Sequence, residues 1–150
     1  MLKRVLAATD FSPNADAAVV FAADLARHAS TDLLLLHVAM PSPGASVPLS
    51  VRQDYNRHVA AARRLLEERA ARSAAAGRPI EILLKEGDPA QVIVATARDA
   101  HVDAIVVGTH KHKDPAALLI GSVAERVLRL APCTVMVVKR SSSEASREAA

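Results

Sequence analysis

DAIVVGTHKHKDPAALLIGSVAER, residues 103–126, places a strand, a basic loop and a helix start directly after one another. The run from Asp103 to Val107 is apolar without alternation, which is typical of a parallel strand buried on both faces. After the loop, Ser122 and Glu125 have the S-x-x-E spacing of a capping box. We therefore expect a helix that starts at Ser122, with Gly121 just before it.

This order of elements can hold a phosphate group. A helix N-terminus presents free backbone N–H groups and the positive end of the helix dipole, and both favour an anion. Plainer interpretations stay open, because Ser122 can act as a cap alone and the loop can be a solvated basic segment. The loop histidines are two residues apart and have no obvious third partner, so we expect no metal site. The basic and titratable loop residues are His110, Lys111, His112 and Lys113.

The rest of the chain alternates between short apolar runs and helical patterns. Such alternation favours a parallel sheet with helices on both faces, and ligands bind such sheets where the strand order reverses, beyond the carboxyl ends of the strands. For the order 3-2-1-4-5 this point lies between the first and fourth strands, which end at Asp10 and Gly108. The other predicted strands are Arg4–Ala8, Asp32–Val38, Ile80–Lys85 and Thr134–Lys139. The other predicted helices start at Ser12-Pro13, run from Ser50 to Ala76 before Gly77, and start at Asp88-Pro89 with Gln91 completing a D-x-x-Q cap.

Composition and charge exclude several classes of function. The chain of 150 residues has no Trp, one Tyr and two Phe, so single-stranded nucleic acid has no aromatic platform on which to stack. Its net charge of +3 is mild and spread along the chain, unlike a DNA-binding footprint. No apolar run reaches the length of a membrane span, and Asp10 interrupts the first one too early for a signal peptide. We expect a cytoplasmic protein without nucleic-acid or membrane partners.

Three blocks of the sequence resemble the bacterial universal stress protein family. They are Thr9-Asp10 after the first strand, LLLLHV at residues 33–38, and GTH…LLIGSVAERVLRLAPC at residues 108–133. The similarity runs from Leu2 to Lys139, so we expect one domain over residues 1–139 and a disordered tail over residues 140–150. The resemblance implies an α/β, Rossmann-like, adenine nucleotide alpha hydrolase-like fold, with a five-stranded parallel sheet of order 3-2-1-4-5. It also implies a stress-response role and commonly a homodimer.

The resemblance further implies a site for an adenine nucleotide, ATP or AMP, with or without Mg. Nucleotide-binding members of the family carry G-x2-G-x9-G-S after the fourth strand, and here the same frame has Lys111 at the second glycine. Asp10 would approach the ribose, and the backbone near Val38 would meet the adenine. The complete predicted set is Thr9, Asp10, Val38, Gly108, Lys111, Gly121, Ser122 and Val123.

Lys111 has two opposing effects on the expected nucleotide binding. If the position needs a left-handed backbone, a residue with a Cβ costs about 1–2 kcal/mol, and its side chain can occupy the space of a phosphate. A lysine also brings a cation to that phosphate. We favour retained nucleotide binding. The alternative is a dimeric interaction module of the same family that binds no nucleotide.

No catalytic residue can be nominated from the sequence. It contains no P-loop, no G-x-G-x-x-G and no G-x-S-x-G nucleophile elbow, so enzymatic activity is expected to be at most slow ATP hydrolysis. His37 is interpreted as a hydrogen-bonded core histidine, and Cys133 as a buried, inert thiol. Asp10 itself has a simpler alternative role, hydrogen bonding to the turn that follows it.

The last predicted strand, Thr134 to Lys139, lies at an edge of the sheet in the assumed order. Its residues Val135 to Val138 are unusually apolar for an exposed edge, and proteins rarely leave such an edge unpaired. We therefore expect a homodimer in which this strand faces its symmetry mate. Other protein partners cannot be named from the sequence.

Overall fold

The computed structural model of the protein describes residues 1–74, 78–109 and 120–140. In these ranges, strands and helices alternate as predicted. The elements are β1 (Arg4–Ala8), α1 (Pro13–Ala29), β2 (Asp32–Ala39), α2 (Leu49–Ser73), β3 (Glu81–Glu86), α3 (Pro89–Asp99), β4 (Ala104–Gly108), α4 (Ser122–Leu130) and β5 (Thr134–Val138).

The predicted boundaries differ from the observed ones by a few residues at most. The largest difference is at α2, which ends at Ser73 instead of Ala76. Its predicted stop, Gly77, and the predicted tail beyond residue 140 lie outside the described residues. Within those residues, no helix combines the length and the apolar character that a membrane span requires.

All five strands are parallel and lie in the order β3-β2-β1-β4-β5, which confirms the predicted topology. In the centre, Val5 of β1 pairs with Leu33 of β2 on one side and Ala104 of β4 on the other. The chain first builds outward from β1 to β3 and then returns to place β4 on the opposite side of β1. The strand order therefore reverses between β1 and β4, and their carboxyl ends border one crevice.

Two aliphatic cores lie on the two faces of the sheet. Helices α1 and α2 cover one face, where Val5, Leu35 and Leu66 are fully buried. Helices α3 and α4 cover the other, where Leu6, Ile105 and Val127 are fully buried. Unbroken apolar strands fit this arrangement, because alternate residues of each strand enter opposite cores.

The 3.6-residue hydrophobic period predicts that Val51 of α2 and Ala29 of α1 face the core, but both residues are exposed. Val51 is 45% exposed, because the buried residues of α2 begin only at Ala62 and its first turns do not cover the sheet. Ala29 is exposed as the last residue of α1. The 3.6-residue period identifies the apolar face of a helix but not how far along the helix its packing partner extends.

Candidate functional site

A cleft of about 210 Å³ lies at the carboxyl ends of β1 and β4. It is bordered by the first turns of α1, α3 and α4. Seven of the eight residues predicted to bind nucleotide line it: Thr9, Asp10, Val38, Gly108, Gly121, Ser122 and Val123. The eighth, Lys111, lies outside the described residues, as do His110, His112 and Lys113.

The turn between β1 and α1 forms one wall of the cleft. Thr9 is buried, and its Oγ1 accepts a hydrogen bond of 3.0 Å from the backbone N–H of Phe11. Asp10 is exposed, and its Oδ1 accepts a bond of 2.9 Å from the N–H of Ser12. The simpler role considered for Asp10, bonding to the following turn, is thus confirmed. This bond also holds the carboxylate at the edge of the cleft.

Gly108 has a packing role that the sequence did not reveal. A Cβ at this position would lie 2.6 Å from the carbonyl oxygen of Asn14 and 2.9 Å from the backbone nitrogen of Ala15. Real Cβ atoms do not approach backbone so closely, so the first turn of α1 can cross the end of β4 only over a glycine. The first glycine of the motif is therefore required by the fold whether or not a ligand binds.

Helix α4 begins at Ser122 as predicted, but its cap differs from the prediction. The N-cap is Gly121, with φ −60° and ψ 157°, and Ser122 is the first helical residue. Among the described residues no side chain caps this helix, and Glu125 pairs with Arg129 instead of bonding back to the cap. The predicted capping box is wrong because the residue before the serine already has the extended backbone of an N-cap. The first N–H groups of the helix thus have no intrahelical acceptor, and they belong to residues that line the cleft.

The two other helices at the cleft have side-chain caps. Ser12 Oγ accepts a bond of 3.2 Å from the N–H of Ala15 at the start of α1. At the start of α3, Asp88 Oδ2 accepts a bond of 3.0 Å from the N–H of Gln91, which confirms the predicted cap. Asp88 Oδ1 also accepts a bond of 3.0 Å from Arg126 of α4. The Arg126 bond, followed by the Gln91 bond, lowers the pKa of the Asp88 carboxyl below its ordinary value.

The apolar wall of the cleft was largely missed from the sequence. Leu36 and Val38 point to it from β2, and Pro89 and Ile93 line it from α3. Of these only Val38 was named in advance. Residues 33–36 of β2 are all leucine, so their pattern does not reveal which alternate residues face a cleft. Helix α3 lines the cleft because of the sheet topology, which its own sequence does not show.

His37 and Cys133 take structural roles. His37 is half-buried, and its Nδ1 lies 2.8 Å from the carbonyl oxygen of Thr9, which confirms a hydrogen-bonded histidine. Cys133 is half-buried, not fully buried as expected. Desolvation, and then the charge of Asp103, raises the pKa of its thiol, which fits an unreactive cysteine. Within the described ranges, no group of three or more His, Cys, Asp or Glu side chains could hold a metal ion.

Comparison with known proteins finds one family over almost the entire chain. The family model described as "Universal stress protein family" matches residues 1–139. A relative from Thermus aquaticus, named universal stress protein in QAH/OAS sulfhydrylase 3'region, is 31% identical over 140 residues. That alignment covers 93% of this chain and 100% of the relative.

Solved structures of the family have the same fold. The hypothetical protein MJ0577 of Methanocaldococcus jannaschii is 29% identical, with a TM-score of 0.80 and coverage of 95% of this chain and 99% of that one. A universal stress protein solved in complex with cAMP is 26% identical, with a TM-score of 0.71. That match covers 93% of this chain and 99% of the other.

Proposed function

The chain belongs to the universal stress protein family, and we propose that it binds an adenine nucleotide in the cleft between β1 and β4. One observation carries the proposal: the uncapped N-terminus of α4 borders the same cleft as the Asp10 carboxylate and an apolar wall. The cAMP complex of a 26% identical relative supports it, because cAMP contains an adenine, a ribose and a phosphate.

The phosphate would lie at the start of α4. The first three backbone N–H groups of the helix have no hydrogen-bond acceptor within it. They belong to Ser122, Val123 and Ala124, and all three residues line the cleft. Partial positive charge from the aligned peptide dipoles adds to these donors. Among the described residues no side chain caps the helix, so an incoming phosphate would displace none of them.

The ribose and the base would lie on the other walls. Asp10 supplies a carboxylate, which accepts hydrogen bonds from hydroxyl groups and repels phosphate, so it fixes the direction of the ligand. Leu36, Val38 and Ile93 offer apolar surface to a flat base. A cleft that is apolar at one end and lined by a few polar groups at the other is typical of small-molecule sites.

ATP and AMP are both candidate ligands, with Mg as a possible companion of ATP in this proposal. Lys111 would add a cation to the phosphate end, as would its basic neighbours in the loop. A triphosphate should gain more from these charges than a monophosphate, and its affinity should fall more steeply with salt. A lysine that assists binding should favour the triphosphate over the monophosphate in this way, whereas a lysine that obstructs the site should not.

We propose a regulatory role in the cytoplasmic stress response, in which the protein binds the nucleotide without efficient chemistry. Of the described residues that line the cleft, Asp10 alone carries a carboxylate, and it is already engaged by the N–H of Ser12. A water molecule near the phosphate therefore has no evident general base among them. We infer that nucleotide occupancy, and at most slow ATP hydrolysis, sets the state of the protein.

The direct test is to denature freshly purified protein and search for released nucleotide by mass spectrometry, then to titrate the nucleotide-free protein with AMP and adenosine by calorimetry. We expect AMP to bind and Asp10→Ala to weaken both ligands. Asp24→Ala removes an exposed carboxylate that is ion-paired on α1, and it serves as the matched control. Absence of binding by any of the adenine nucleotides at millimolar concentration would refute the proposal.

The second candidate is a dimeric interaction module that binds no nucleotide. It is favoured by β5, an edge strand whose Val135 to Val138 are half-buried in the single chain, and by Leu128 and Leu130 of α4, which are 42% and 52% exposed. We propose a homodimer through Thr134 to Lys139 for either candidate. Val137→Lys should then produce monomers in sedimentation, whereas a wild-type monomer at micromolar concentration would rule the dimer out.

A further inference from the structure

Phe11 has an unusual backbone conformation in the turn that carries Asp10. Its φ is 65°, in the left-handed region, although it is a bulky residue without a polar group that could bond to the local backbone. Such conformations persist only where the surrounding structure holds them, and they are enriched at binding sites. Glycine would adopt this backbone freely, so the presence of an aromatic ring here calls for a physical reason.

His37 contacts this turn at two points. Its ring centroid lies 4.5 Å from that of Phe11, with an angle of 32° between the ring planes. Its Nδ1 lies 2.8 Å from the carbonyl oxygen of Thr9, which can only accept, so this nitrogen donates. One side chain on β2 thus holds both the start of the turn and the ring of the strained residue.

Arg69 of α2 also contacts the ring of Phe11. Its guanidinium carbon lies 5.8 Å from the centroid of the Phe11 ring, within the range of a cation–π interaction. The same guanidinium donates two bonds, of 2.9 and 3.3 Å, to the carboxylate of Asp16 on α1. The arginine side chain is only 15% exposed, so this arrangement is screened from water more than a surface pair.

The ring and the carboxylate lie in different surroundings. Phe11 packs on the core beneath α1 and α2, whereas Thr9 and Asp10 line the cleft at the carboxyl ends of β1 and β4. The turn therefore joins this core to the cleft, and a ring fixed against the core constrains the position of its neighbour at the cleft. The 2.9 Å bond from Ser12 to Asp10 closes the turn around Phe11.

We propose that Phe11 is a positioning residue of the nucleotide site. Its ring, held by His37 and Arg69, keeps the turn in the conformation that presents the Asp10 carboxylate to the ribose. The statement about the ribose rests on the proposed function. The statement about the turn does not, because it concerns the ligand-free protein.

Phe11→Gly separates the ring from the backbone, since glycine accepts φ 65° without strain but makes no ring contact. We expect the amide of Ser12 to exchange with solvent about tenfold faster in the ligand-free variant, because aromatic pairs and cation–π contacts together are worth roughly that factor. Phe11→Leu keeps an apolar side chain but has no aromatic ring, so the amide of Ser12 should exchange about threefold faster than in wild type. Ser30→Gly is the matched control, since Ser30 has φ 55° at the far end of α1.

The affinity for AMP tests whether the turn acts through Asp10. In the wild-type background Asp10→Ala should weaken AMP binding by about tenfold, and in the Phe11→Gly background the same change should cost less than about threefold. Additive effects of the two substitutions, or unchanged Ser12 exchange in both Phe11 variants, would overturn the proposal. If wild-type protein binds no AMP, the proposed function fails, and Ser12 exchange alone then decides whether Phe11 holds the turn.

Discussion

The N-termini of α3 and α4 border the same cleft with similar backbones and opposite chemistry. Asp88 and Gly121 are the two N-cap residues, and both are extended, with φ and ψ of −74° and 123° for the first and −60° and 157° for the second. Asp88 bonds to the N–H of Gln91, whereas Gly121 has no side chain to offer. One helix start is thus closed by the protein's own carboxylate, whereas among the described residues no side chain caps the other, where the proposed function places the phosphate.

In the proposed function, the side chain at the N-cap decides whether a helix start is closed by the protein itself or receives the phosphate. Both helices supply a dipole, but α3 has one free N–H group fewer before capping, because Pro89 at its first position has none. At α3 the Asp88 carboxylate that accepts from the N–H of Gln91 is also bonded to Arg126 of α4, so the capped helix is linked to the uncapped one. The ion pair therefore helps to fix the start of α4 relative to α3.

Gly121→Asp should have the largest effect, because it gives α4 the cap that α3 already has. The backbone is ready for it, so thermal unfolding should show a gain of a few tenths to about 1 kcal/mol. The new carboxylate would take the free donors and repel phosphate, and AMP affinity should fall at least about tenfold. Gly121→Ser is the uncharged control, with a smaller loss of affinity. A variant that is more stable and binds AMP as wild type does would contradict the comparison.

Lys111→Gly should have the next largest effect. We expect ATP affinity to fall about three- to tenfold and its salt dependence to flatten, because a cation near the phosphates is lost. Adenosine affinity should not change. An increase in ATP affinity measured by titration calorimetry would instead show that the lysine side chain obstructs the site.

Asp88→Ala should remove the N-cap of α3 and lower the melting temperature, because the N–H of Gln91 loses its acceptor and Arg126 loses its partner. Asp88→Asn keeps the cap without the charge and should cost less. AMP affinity should change less than about twofold in both, if α4 alone receives the phosphate. A tenfold gain or loss in either variant would show that the two helix starts are not independent.

The Asp88 pair should also make stability depend on pH in one direction. Its pKa is lower in the folded protein than the ordinary value of 3.8, so the fold favours the ionised form. The contribution is complete above 3.8 and is lost as pH falls through the lower, folded pKa. The difference in melting temperature between wild type and Asp88→Asn should therefore shrink in acid. A difference that is constant from neutral to strongly acidic pH would exclude this ion pair as its origin.

The two caps also show how far the sequence predicts this molecule. D-x-x-Q at Asp88 and S-x-x-E at Ser122 are equivalent patterns, yet only the first is a cap, because Gly121 takes the N-cap position one residue early. The spacing of capping residues identifies the start of a helix only to within about one residue. A shift of one residue is enough to turn a capped helix start into an uncapped one. The S-x-x-E pattern therefore predicts the helix start correctly but places the cap on the wrong residue.

The fold was more predictable than the details of the site. Unbroken apolar strands alternating with amphipathic helices permit few arrangements, and parallel strands end at one edge, so the lining of the cleft by Asp10 and Gly108 could be expected. Contacts between distant segments leave no local pattern. The approach of Asn14 to Gly108 and the stacking of Phe11 on His37 are of this kind, and only the structure reveals them.

The most direct test of the open helix start is to follow backbone amide resonances by NMR while titrating the protein with AMP and, separately, with adenosine. AMP and adenosine differ by the phosphate, so the difference between the two titrations reports on contacts of the phosphate. We expect a saturable difference at Ser122 and Val123 and none at Gln91, whose N–H is already bonded to Asp88. Equal responses to AMP and adenosine at Ser122 and Val123, or no saturable change up to millimolar ligand, would contradict the account.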